Sequence, residues 1–156
     1  MAKYPLEALL SLRKHRLDDA ILAHAQVLAR LKQAVKDHER ALDDLNKFKC
    51  WKDLEVERRY QFILNKTLPC KDLENFKAGL ASLDVEEMKY RERLEKIQVQ
   101  LDSIKKEEIV AKDLIKKTNQ ALIKLEEHRK IFLVQDKIND ERLADVEFED
   151  FHPPKK

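Results

Sequence analysis

This chain of 156 residues holds one glycine, four prolines and two cysteines. A compact domain reverses direction several times, and its turns lean on Gly and Pro. Proline in a helix interior costs roughly 3 kcal/mol and glycine about 1 relative to alanine, so helical chains place them where helices begin, end or bend. Pro5, Pro153 and Pro154 lie near the ends, leaving Pro69 and Gly79 as the internal breakers. Both fall in the stretch from Asn65 to Asp84, NKTLPCKDLENFKAGLASLD. The chain has residues for one reversal, which excludes most globular architectures.

Other scarcities exclude functions. One glycine cannot build a phosphate-binding loop, and a two-helix structure offers no concave pocket for a nucleophile and base, so an enzyme is not expected. No apolar run approaches the roughly 18 residues of a membrane span. The opening MAKYPLEALLSLRKHR lacks the continuous apolar core and cleavage site of a secretory signal, so a cytoplasmic location is expected. Cys50 and Cys70 fall far apart in a helical hairpin, so reduced thiols are expected.

Charge is abundant: 40% of the residues are Asp, Glu, Lys or Arg, against about a quarter in typical soluble domains. The net charge is only +2, with both signs interleaved, which gives no continuous basic stripe for nucleic acid. Leu, Ala, Glu, Lys, Arg and Gln fill both long segments. The fold class expected is all-α: an elongated antiparallel two-helix coiled-coil hairpin with a short irregular or helical tip and a disordered acidic C-terminal tail. One domain covers 1–156, divided into helix 1 over about 6–64, tip over about 65–84, helix 2 over about 85–142 and tail over 143–156.

Heptads locate the seams. In helix 1, Ile21, Leu28, Val35 and Leu42 read as one core row, and Leu10, Leu17, His24, Leu31, His38 and Leu45 as the other. Beyond Leu45 the pattern loosens, with Lys49 and Lys52 on seam positions, which suggests a local phase change. In helix 2 the rows are Leu94, Leu101, Glu108, Ile115, Leu122, Arg129 and Tyr90, Ile97, Ile104, Ala111, Thr118, Leu125, Phe132. Asp84 with Glu87 reads as a capping box, and Leu83 with Met88 as its hydrophobic staple. Helices of this length form a rod of roughly 85 to 90 Å. A break at 65–84 pairs residues whose numbers sum to about 149, setting Leu45 near Ile104, His38 near Glu108 and Leu17 near Phe132.

Histidine is the first place to look for metal, and none is expected. His24 and His38 share a seam row four turns apart, whereas a helix-borne site uses ligands one turn apart. The one Glu-x-x-His spacing, Glu149 to His152, falls in the C-terminal tail with no second such pair to complete a site, and His38-Glu39 lacks the second His of a zinc protease helix. The expectation is a polar seam layer of His24, His38 and Glu108 that fixes register. No cofactor is expected. At the break, Leu73, Phe76 and Leu80 recur at helical spacing, either closing the tip or offering an apolar patch to a partner. At the open end, Lys3, Arg13, Lys14 and Arg16 stand against Glu7, while 140–150 holds six acidic residues and one Arg.

Tyr4-Pro5, followed by Leu6-x-x-Leu9-x-x-Leu12-x-x-x-x-Leu17-Asp18-Asp19-Ala20, resembles the opening of the FliJ/YscO family, the central-stalk proteins of type III secretion export machines. The Tyr4-Pro5-Leu6-Glu7 start is similar to the virulence branch. The resemblance implies a stalk whose open end enters the hexameric export ATPase. The residues it implies there are Leu6, Leu9, Leu12, Arg13, Arg16, Asp19, Lys130 and Arg142. It also implies contact with the cytoplasmic part of the export-gate membrane protein through Phe76-x-x-x-Leu80, where Gly79 departs from the family pattern. A place peripheral to the inner-membrane export apparatus follows, with export chaperones as further partners of some members. Two other readings stand beside it: a general coiled-coil adaptor or tether, and a holdase-like chaperone escort.

Overall fold

The computed structural model describes residues 2–151. Among them are two α-helices, α1 (Glu7–Ile63) and α2 (Cys70–Asp150), and no strand. The chain divides into two compact units. One combines residues 1–26 with 109–156, and the other is 27–108. In each, a segment of α1 packs antiparallel on a segment of α2.

The reversal is tighter than the sequence suggests. α1 ends where Asn65 adopts φ 64°, the left-handed conformation that asparagine tolerates and that closes helix C-termini. Six residues, 64–69, separate the helices before α2 begins, with the Pro69 carbonyl accepting from the amides of Asp72 (3.0 Å) and Leu73 (3.2 Å). The reversal therefore spans residues 64–69, and LENFKAGLASL forms the first turns of α2. Asp84 is not a cap: it lies inside α2, where its carboxylate accepts from Lys52 Nζ at 2.6 Å. At the other end α2 continues through residues 143–150, which the sequence assigns to a disordered tail. Residues 152–156 of that tail lie outside the described ones.

A shorter reversal shifts the pairing. Tyr4 with Phe132 and Glu7 with Arg129 in the first unit, like Lys52 with Asp84 and Tyr60 with Phe76 in the second, have numbers that total 136. The expected total of about 149 is thereby corrected, because the chain turns over six residues and not twenty. Phe132 accordingly meets Tyr4, not Leu17. The His38–Glu108 layer is lost with it: in the second unit Arg30 pairs with Glu107, and His38 stands two turns further along α1.

The seam of α2 runs along both expected rows, every one of whose positions is buried or half-buried. On α1 one row holds, from Leu10 to Leu45, but the other is displaced by one residue. Ala20 (5% exposed) and Ala41 (4%) are buried, with Val27, Ala34 and Phe48 half-buried between and beyond them. Ile21 (48%), Val35 (38%) and Leu42 (42%) stay on the flank. Packing explains the choice: α2 fills its seam with Leu94, Ile97, Leu101 and Ile104, and short alanines opposite let the helices interdigitate.

Beyond Leu45 no change of phase occurs. Phe48 stacks on Tyr90 at 4.8 Å between ring centroids, and the same rows continue through Lys52, Glu55 and Arg59. The polar side chains there find partners. Lys52 Nζ donates to Asp84 and Glu87, each at 2.6 Å, and Arg91 donates to Glu87. Glu55 accepts from Arg58 and from Arg59 Nε at 2.8 Å.

Candidate interaction surfaces

In the first unit, Tyr4 is the element that fixes the end. Pro5 presets the backbone just before α1, and the Glu7 amide bonds back to the Tyr4 carbonyl at 3.3 Å. This directs the Tyr4 ring onto α2, where it is 4% exposed. Its ring lies 5.8 Å from His128 and 5.4 Å from Phe132. Its hydroxyl is hydrogen-bonded to His128 Nδ1 at 2.8 Å. Glu7 meets Arg129 at 3.1 Å, and the Ala2 amide donates to Asp136 at 3.0 Å. Next to this clasp, Leu10, Leu122 and Leu125 form a buried cluster with Leu9 and Leu17 packed against it.

The residues implied for ATPase contact divide accordingly. Leu9 leans on the core and Arg13 is half-buried. Leu6, Leu12, Arg16, Asp19, Lys130 and Arg142 are exposed. Leu12, Arg16 and Asp19 recur at i, i+4 and i+7, which places them on one outward face of α1; Leu6 is off that face. On α2, every residue from 137 to 150 is exposed, Arg142 among them.

In the second unit, Phe76 and Leu80 are both half-buried. Phe76 meets Tyr60 edge-on at 5.3 Å, and Leu80 lies beside Val56 and Lys52. The departure at Gly79 does not break α2 there. A Cβ at that position would stand 3.1 Å from Arg59 Nη1. Phe76 and Leu80 thus close the tip against α1. The apolar side chains that project from it are Phe62, Leu64 and Leu73, with the Lys66 ammonium 3.9 Å over the Phe62 ring. The sequence pattern does not mark Phe62 and Leu64 as contact residues, because the α1 rows expected from it pass through Arg59 and Ile63 instead.

Ionisation follows the seam. Arg58, then Arg59, hold the Glu55 carboxyl down at about 2. Hydrogen bonds from Lys52 and then Arg91 lower Glu87, and the bond to Asp84 raises Lys52. Among the described residues, no three His, Cys, Asp or Glu side chains are grouped to hold a metal ion. No helix among them is long and apolar enough to cross a membrane.

Residues 6–154 match the family model described as type III secretion protein YscO. Two solved structures share the fold. Type III secretion protein YscO from Vibrio parahaemolyticus superposes with a TM-score of 0.88 at 20% identity, covering 94% of this chain and 92% of that one. A putative YscO homologue from Chlamydia trachomatis gives 0.80 at 19% identity, covering 96% and 92%. Among curated proteins none matches the sequence.

Proposed function

Because the chain belongs to the YscO family of type III secretion proteins, we propose that it is the non-enzymatic central stalk of the export apparatus. The end held by Tyr4 enters the hexameric export ATPase, and the Asn65 tip faces the export-gate membrane protein.

The observation that carries this reading is the division of labour among the opening residues. Tyr4, Glu7 and Leu10 face inward and hold the two helix ends together. That leaves Leu12, Arg16 and Asp19 on a face with no intramolecular role. An end with one mixed polar and apolar face suits repeated weak contacts with the subunits of a ring, since exposed ion pairs contribute about 0 to 1 kcal/mol each and are screened by salt. At the tip, Phe62, Leu64 and Leu73 supply the exposed contact, and Phe76 with Leu80 hold its shape.

The test is stimulation of the purified export ATPase by the full chain. Arg13→Glu with Arg16→Glu should weaken stimulation several-fold while helicity and thermal midpoint stay near wild type. Unchanged stimulation by a folded variant would remove this face from the reading.

A further inference from the structure

The exposed C-terminal stretch of α2 has a counterpart on the same unit. Asp136 is half-buried and bonded to Ala2, whereas residues 137–150 are exposed. Within this stretch Leu143, Val146, Glu147 and Asp150 recur at i, i+3, i+4 and i+7, so they share one face. On α1, Leu9, Leu12, Arg13 and Arg16 recur at the same spacing. Each set runs apolar, apolar, charged, charged, with opposite signs, and the two are related by a constant offset in number. Charge along the segments agrees: six carboxylates against one Arg in 140–150, and four cations against Glu7 in 3–16.

These faces cannot meet within one chain. The pairing of this unit sets Arg13 and Arg16 beside residues 123 and 120 of α2. Glu147 and Asp150 are therefore roughly 36 to 45 Å further along a continuous helix, at 1.5 Å per residue. A second copy removes the conflict. If two chains are related by a two-fold axis near Ala2 and Asp136, the 137–150 stretch of each lies along residues 3–16 of the other. The facing turns, 9–16 and 143–150, are each about 12 Å of helix, and both contacts form at once.

We propose that this face joins two copies of the chain. Leu143 and Val146 of each lie on Leu9 and Leu12 of the other, and Glu147 and Asp150 face Arg13 and Arg16. The contact is small and its charges are exposed, so association is weak and weakened further by salt. It goes beyond the stalk reading. One corollary does rest on that reading: the dimer covers Leu12 and Arg16, so self-association and ATPase binding exclude each other, and the dimer is a held-back form of the stalk.

Sedimentation of the full chain from micromolar to hundreds of micromolar tests the contact without the ATPase. At about 0.05 M salt the mass should rise from 18.5 kDa towards twice that value, and at about 0.5 M it should fall back. Glu147→Lys with Asp150→Lys should abolish the rise, and adding Arg13→Glu with Arg16→Glu should restore it. In a Cys50→Ser, Cys70→Ser background, Leu12→Cys with Val146→Cys should give a disulfide-linked dimer on oxidation that neither single cysteine gives. A monomer at every concentration overturns the proposal. So does a dimer indifferent to the charge reversals, or failure of the cysteine pair to crosslink in a chain that dimerises.

Discussion

The hydroxyl of Tyr4 and Nδ1 of His128 stand 2.8 Å apart across 124 residues of sequence, in a contact that leaves the Tyr4 ring 4% exposed. Removing a buried aromatic ring typically costs about 3 to 5 kcal/mol, and removing one hydrogen bond about 1. Tyr4→Ala should therefore lower stability several times more than Tyr4→Phe in urea titrations. Hydrogen exchange should assign the loss to residues near 125–136.

The alanine row on α1 makes an unusual expectation. Enlarging a buried small residue forces neighbours apart and typically costs about 1 to 3 kcal/mol, whereas trimming a flank residue costs little. Ala41→Leu should destabilise the chain and Leu42→Ala should change it by less than about 1 kcal/mol, although the sequence pattern alone assigns the core role to Leu42. Thermal midpoints of the two variants decide the matter.

Gly79 sits inside α2, where alanine is favoured by up to about 1 kcal/mol. Its added methyl would meet the far end of a long side chain, Arg59 Nη1, which can yield. Gly79→Ala should stabilise the tip slightly, measured by denaturation, and Gly79→Leu should not, because a larger group must displace Arg59 from Glu55.

Glu55 and Glu87 set the response to acid. Both have folded-state pKa values below the ordinary 4.5, with Glu55 at about 2. A depressed carboxyl stabilises the fold above its unfolded value and loses that contribution as pH falls through the folded one. Stability should decline between about pH 4.5 and about pH 2. Glu55→Gln should flatten the lower part of that decline; an unaltered profile would show that the Arg58 and Arg59 bonds do not persist in solution.

Composition made the helices legible, and heptads made the whole α2 seam legible, because its core positions are long and apolar. The other α1 row was not, since pattern reading prefers Ile21, Val35 and Leu42 to alanine, whereas the real criterion is what faces them across the interface. The register failed for a related reason. Gly79 and Asp84 look like punctuation, but a single glycine inside a helix costs little once its neighbours pack, and Asp84 serves Lys52. Of the candidate contacts, Leu12, Arg16 and Asp19 entered with five others only through the family resemblance, and their shared outward face emerges once the packed rows of α1 are known. Phe76 and Leu80 were visible as a pair, and only the partner helix reveals that they point inward.

The six-residue turn at Asn65 also orders events in time. Contacts beside it, such as Tyr60 with Phe76, close a loop of few residues, whereas Ala2 with Asp136 closes one of 134. Loop entropy grows with length, so the chain should nucleate at the turn and zip outward. The Tyr4 clasp is then the last part to lock and the first to fray. The helix segments joined by that clasp are therefore the ones that open most readily.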